Sequence, residues 1–193
     1  RLTALQRILA VAASGLCLAG LLVDYAATEG SPIGFLEFPL VAAFLILGLL
    51  SLARFLRPLS PFVDAALAVL GAVGLLLSLD VIEAAGPGFW LVLGGTWLFA
   101  WLFAERFSQA IRTGASSARL GFLVPLMFGA ALLLAWEAIT RGGGVSPVLL
   151  PPPSSIWLAA VESTSILWAD FVQTFIIAVL IGYVLGCGAA FLI

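Results

Sequence analysis

The stretch LLLAWEAITRGGGVSPVLLPPPSSIWLAAV, residues 132–161, decides how the rest of the chain is read. An apolar run ends at Trp136-Glu137, glycines fill 142–144, prolines fill 151–153, and an apolar segment reopens at Ile156. Proline fixes φ and lacks an N–H, so Pro151-Pro152-Pro153 predicts a short, stiff, extended rod. The glycines before it supply slack. Ser154 has the side chain of a helix N-cap. Beyond it Ile156, Trp157, Ala160, Val161, Leu167 and Trp168 share one helical stripe, away from Glu162, Ser163 and Asp170, with Ile166 as the exception. That pattern predicts a short amphipathic helix lying along a membrane interface, which gives way after Asp170 to a full span.

The composition agrees with such a setting. The chain of 193 residues is 63% hydrophobic and 9% charged, with no histidine, and its eight basic residues are all arginine. So little charge cannot coat a water-exposed surface, and a lipid-crossing helix needs about 20 apolar residues. Barrel strands of about 10 alternating residues are absent from the pattern. The fold class expected is therefore all-α, a polytopic integral membrane protein with about six spans and one amphipathic helix on the outer face. The net charge of −2 carries no cluster that would suggest nucleic acid. Cys17 and Cys187 lie in apolar runs outside any Cys-x-x-Cys pair and read as small core residues. No metal site or cofactor is expected.

Six apolar runs are visible, at roughly 6–27, 33–53, 62–82, 88–104, 119–138 and 171–193. Gly30-Ser31-Pro32, Pro58 with Pro61, Gly86-Pro87-Gly88 and the 142–153 stretch punctuate them. Arg1, Arg7, Arg54, Arg57, Arg106, Arg112 and Arg119 fall in regions that share one side if every run crosses once, and only Arg141 falls opposite. The other loops hold Asp24, Glu29, Glu37, Asp80 and Glu83. Arginine-rich loops stay cytoplasmic, which predicts a cytoplasmic N-terminus. The tryptophans, Trp90, Trp97, Trp101, Trp136, Trp157 and Trp168, read mostly as interfacial anchors with one wet edge.

The most polar stretch, residues 105–119, suggests a boundary between a four-span module at 1–115 and a second module at 116–193. Gly20-Leu21-Leu22, Glu29 and Gly34-Phe35 recur 54 residues later as Gly74-Leu75-Leu76, Glu83 and Gly88-Phe89. Spans one to four thus read either as duplicated hairpins or as a chance match in a Gly- and Leu-rich chain.

Little in the sequence carries chemistry. Without histidine there is no Ser/His/Asp or Cys/His set, and 142–144 lacks the Lys-Ser/Thr of a phosphate loop. Asp24, Asp64, Asp80 and Glu83 lie near span ends, where carboxylates reach water, and no ionisable group sits mid-span. Proton relays need such groups despite an insertion cost of about 2.5–3.5 kcal/mol, so a proton-coupled carrier is disfavoured. No catalytic residues are expected. Glu137 reads either as an interfacial carboxylate or as a polar handle for a solute or binding protein. Gly182-x-x-x-Gly186 permits close helix packing, within the protein or against a partner. Gln173 and Thr174 lie near the outer end of the last span.

From about residue 120 onward the chain resembles the start of the transmembrane domain of ABC importer permeases, the nitrate/sulfonate/taurine type above all. Those proteins begin with a span ending in Trp-Glu, a Leu-Pro-Ser-Pro-Ser elbow and an amphipathic helix leading into the core. Trp136, Glu137, Leu150, Pro151, Pro153 and Ser154 match, with Pro152 in place of the usual serine. The preceding four spans would be an extension of the usual pattern. The resemblance implies a permease subunit without enzymatic activity in the bacterial inner membrane. Its implied partners are a cytoplasmic ATPase subunit, a periplasmic substrate-binding protein, a second permease copy and the lipid bilayer. It also implies further spans and a cytoplasmic Glu-Ala-Ala-type coupling loop. This sequence contains no such loop, so it is expected to be the front part of a longer machine. The alternative is a structural or accessory membrane subunit packed against a larger complex.

Overall fold

The computed structural model describes residues 2–26 and 60–192. The expected second span at 33–53, the loop residues Glu29, Glu37, Arg54 and Arg57, and Gly34-Phe35 of the first repeat copy lie outside the described residues. Within them the chain is helical, and the β-type pairing present is an isolated bridge between Ala26 and Ala85. Four helices are long and apolar enough to cross a membrane: Pro61–Leu79, Pro87–Arg112, Arg119–Gly142 and Thr164–Phe191. A shorter apolar helix covers Ala4–Gly20. The all-α, membrane-embedded class follows from these helices.

Local signals explain where each helix begins. Helix α1 (Ala4–Leu22) opens with a capping box, in which Thr3 Oγ1 accepts from Gln6 N and Gln6 Oε1 accepts from Thr3 N. Helix α2 (Pro61–Leu79) has Ser60 at its cap and proline at N1, where the missing N–H costs nothing. Helix α3 (Pro87–Arg112) repeats the proline start after Gly86. A 3-10 turn at Ala118–Phe122, begun by the Ser117 hydroxyl accepting from Arg119 N, leads into α4 (Leu123–Glu137). A π-helical turn at Ala138–Gly142 ends that span.

The chain divides into two compact units, 1–150 and 151–193. Residues 116–150 pack with the N-terminal helices, so this division falls inside the elbow, a different place from the compositional boundary at 115/116. In the first unit α3 is the central rod and packs against α1, α2 and α4. Its Phe89, Val92, Phe99 and Ala100 join Ala13 and Cys17 of α1, Leu67, Leu75 and Leu79 of α2, and Leu134 of α4 in one buried cluster.

The α1–α3 contact is built on small residues. A Cβ on Gly20 would stand 2.7 Å from the Gly88 carbonyl oxygen, and one on Gly88 would stand 2.6 Å from that of Gly20. A Cβ on Gly95 would run into Cys17 Sγ and stand 2.9 Å from the Ala13 carbonyl oxygen. Lipid tails are as apolar as leucine, so helices in a bilayer associate through such close backbone approach. Gly74, which pairs with Gly20 in the sequence repeat, has open space at its Cβ position. The two glycines occupy different environments.

At the far end of α1 the backbone of Asp24 and Tyr25 accepts hydrogen bonds from Gly88 N at 2.9 Å and Gly86 N at 2.8 Å. The buried Tyr25 hydroxyl bonds Ser78 Oγ at 3.0 Å, and its ring meets Phe89 edge-on. Burial pushes the Tyr25 phenol above its usual range, with the Ser78 bond pulling the other way.

The second unit is described by itself. Helix α5 (Pro153–Glu162) is followed at Ser163 by a break, then α6 (Thr164–Phe171), a π-helical stretch at Val172–Leu180, and α7 (Ile181–Leu192). The stripe expected over 156–168 as one amphipathic helix is thus interrupted. Leu167 and Trp168 belong instead to the long apolar rod, which starts at Thr164 rather than 171. Nothing in that 28-residue rod is buried. Trp168, Phe171 and Phe175 stack along it with centroids 5.6 and 5.2 Å apart.

Candidate functional site

The elbow singled out in the sequence is where α4 runs out, and π-helical bonding is the reason it turns. Thr140 Oγ1 donates back to the Trp136 carbonyl at 2.9 Å and to the Glu137 carbonyl at 3.1 Å, loosening the ordinary helical ladder. Gly143 N and Val145 N close the turn onto Ile139 O and Thr140 O. Gly144 takes φ +64°, a left-handed conformation that glycine adopts without strain. Leu149 N and Leu150 N then bond Ser146 O, forming a further turn before the prolines.

A charged clasp fixes this end. Arg141 Nη1 donates to Glu137 Oε1 at 3.3 Å, one helical turn back. Its Nη2 donates to Asp80 Oδ1 at 2.6 Å and to the Leu79 carbonyl at 3.1 Å. Arg141 therefore caps the C-terminus of α2, where exposed carbonyls and the helix dipole favour a cation. The Gly142 carbonyl accepts from Ala85 N at 3.0 Å, so the 80–86 loop and the elbow are tied by backbone as well. Glu137 is 5% exposed. Its carboxylate is covered at the end of the span and accepts from Arg141. The wet edge expected of Trp136 is corrected: its indole N–H is buried and meets no acceptor among the described residues.

In the second unit Pro152 has φ −66° and ψ 147°, the expected polyproline geometry. The helix starts at Pro153, with Pro152 in the cap position and no side-chain cap. Ser154 thus lies inside the first turn rather than at its cap, since proline at N1 already supplies helical φ. Gly182 and Gly186 face open space, with nothing within 4 Å of an added Cβ. The described residues bring no partner to that motif.

The opposite end of the first unit holds a second polar group that the sequence reading misplaced. Asp64, expected at a span end near water, is fully buried in the first turn of α2 and paired with Arg106 Nη1 of α3. Arg106, counted as a loop arginine, is 8% exposed inside α3. Burial removes both charges from water, and their pairing offsets that penalty. The N-terminal dipole of α2 favours the carboxylate further. Close by, Gln6 Nε2 of α1 donates to Gln109 Oε1 of α3 at 2.8 Å. Both ends of the helix packet therefore carry polar ties between helices.

Chemically, these groups lock helices; they present no nucleophile beside a base and no open acid–base pair. No family model, curated protein or solved structure matches the chain.

Proposed function

We propose that the chain is a permease subunit of an ABC importer for a small solute of the nitrate, sulfonate, taurine or bicarbonate kind. In this reading it forms part of the translocation path in the bacterial inner membrane, with its N-terminus in the cytoplasm. It performs no chemistry. A separate cytoplasmic subunit hydrolyses ATP, a periplasmic binding protein delivers solute to the outer elbow, and a second permease copy completes the pathway.

The observation that carries this reading is the second unit. A proline-stiffened start and a short helix precede an apolar rod of mean hydropathy 2.2 with none of its length buried. Such a rod has no core of its own, which suits a helix that packs against further spans of an assembled permease. The clasp of Arg141, Glu137 and Asp80 supports the reading too, because it holds the Trp-Glu end of α4 firmly against α2.

A second reading has its own support. The strongly held polar groups of the first unit, Asp64 with Arg106 and Gln6 with Gln109, are engaged between helices instead of lining a path. That favours a structural membrane subunit.

Affinity purification of the full chain from its native membrane separates the two. The permease reading expects an ATPase to co-purify in stoichiometric amount, with ATP hydrolysis in vesicles rising when periplasmic binding protein is added. A membrane complex that co-purifies without any ATPase overturns the permease reading and supports the structural one.

A further inference from the structure

Between α2, α3 and α4 the packing leaves two adjoining hollows. The inner one, about 60 Å³, is lined by residues that include Ala72 of α2, Thr96 of α3 and Met127 of α4. The outer one, about 290 Å³, is walled by Trp97, Trp101, Phe128 and the small faces of Ala100, Ala104 and Ala131. Trp97, Ala100 and Ala131 line both, so the two share a wall. Trp101 and Phe128 are more than half exposed, which places the mouth on the outside of the helix packet. Trp97 meets Phe128 edge-on at 6.2 Å.

One polar atom breaks this apolar lining. Thr96 is 3% exposed and its hydroxyl meets no hydrogen-bond partner among the described residues. A buried hydroxyl without a partner is disfavoured, and native proteins satisfy nearly all such groups with protein, water or ligand. Position then narrows the ligand. Thr96 lies nine residues from Pro87 and nine from Glu105, which bound the uncharged part of α3. At 1.5 Å per residue it is about 13 Å from either end, near the middle of a hydrocarbon layer about 30 Å thick. Phospholipid ester carbonyls stay at the layer's edges, and acyl chains carry no polar atom at all. The molecule that suits the site is a neutral, flat, lipid-soluble compound with a hydrogen-bond-accepting oxygen that resides at mid-membrane depth.

We propose that the groove between α3 and α4 is a binding site for an isoprenoid quinone. One quinone carbonyl accepts from Thr96 Oγ1, and the ring lies among the faces of Trp97, Trp101 and Phe128 with its tail leaving through the mouth. Aromatic walls favour a flat ring through offset or edge contacts. The alanines leave the space that the ring fills. This site stands apart from the permease reading and does not depend on it.

The test uses the full chain in lipid nanodiscs and a benzoquinone with a ten-carbon tail, read by tryptophan quenching and by thermal shift. A saturable quenching component is expected, with a matching rise in Tm. Ala131→Phe fills the groove and abolishes the saturable component. Thr96→Val keeps side-chain shape while removing the lone hydroxyl. It is expected to raise the Tm of the ligand-free protein yet weaken quinone binding about five- to tenfold, the worth of one hydrogen bond. A tail-matched benzene without carbonyls competes about as poorly as the quinone binds to Thr96→Val.

Quenching that rises linearly with quinone in the bilayer, equally in all three proteins, overturns the site. Unchanged quinone affinity in Thr96→Val overturns the quinone assignment, even if Ala131→Phe blocks binding. Should Ala131→Phe fail to fold, Thr96→Val and the carbonyl-free competitor still decide.

Discussion

The first unit ties its helices together with polar groups, several of them buried, and the second buries no polar residue among those described. In residues 2–26 and 60–150 a core of Phe89, Phe99, Leu67 and Leu75 is bracketed by Asp64–Arg106 at one end and by Arg141 with Glu137 and Asp80 at the other. In residues 151–192 the side chains along a 28-residue rod remain uncovered. Both are strongly apolar, so hydropathy alone cannot separate them. What differs is the presence of small residues and polar ties where helices meet. In lipid those features, rather than greasiness, make a packed body.

That contrast breaks most severely at Asp64. Asp64→Ala leaves the Arg106 guanidinium buried without its carboxylate and is expected to cost about 3–5 kcal/mol, measured by detergent-titrated unfolding of the purified protein. The double variant Asp64→Leu/Arg106→Met removes both charges and is expected to recover most of that loss.

A smaller effect is expected from overfilling the α1–α3 contact. Gly95→Leu drives a side chain into Cys17 and the Ala13 carbonyl and is expected to cost about 1–3 kcal/mol. Gly182→Ala and Gly186→Ala, which look equivalent on paper, are expected to stay within about 0.5 kcal/mol in the same assay. An equal loss at both places would erase the distinction between the two units.

The mildest prediction concerns the clasp. Arg141→Ala removes three side-chain donations around a partly exposed guanidinium, and about 1 kcal/mol is expected. Its sharper signature is local: amide exchange should quicken around Ala85 and Gly142 while α1 and the middle of α3 stay protected.

Composition and the loss of charge over long runs were enough to read an all-α membrane protein, because those signals are local sums. The spacing of four between Glu137 and Arg141 is that of a helical ion pair, but it went unread because the expected span ends at 138, short of the arginine. Asp80 as the third member was not legible, since it lies 61 residues away in sequence. Asp64 and Arg106 were misplaced for the same reason. Each looks like an end-of-span charge in its own window, and only the pairing of α2 with α3 reveals that they bury one another. Gly182-x-x-x-Gly186 carried the recognisable spacing, but the glycines that touch carbonyls are Gly20 and Gly88, which no short pattern links. The helix start at Pro153 was displaced from Ser154 because two N-terminal signals compete there and proline at N1 prevails. Thr96 gave no signal at all, since threonine in an apolar helix ordinarily bonds its own backbone.

The loop at 80–86 looks like a mere connector between two spans, yet it is a keystone. Ala85 N reaches Gly142, Gly86 N reaches Tyr25, and Asp80 holds Arg141. Two chain segments far apart in sequence, at Tyr25 and at Arg141-Gly142, hang on these few residues, so there is no spare length in which to splice an epitope or a protease site. The turn at Gly114, with φ +73° and open space around it, is the place in this unit that an engineer can lengthen.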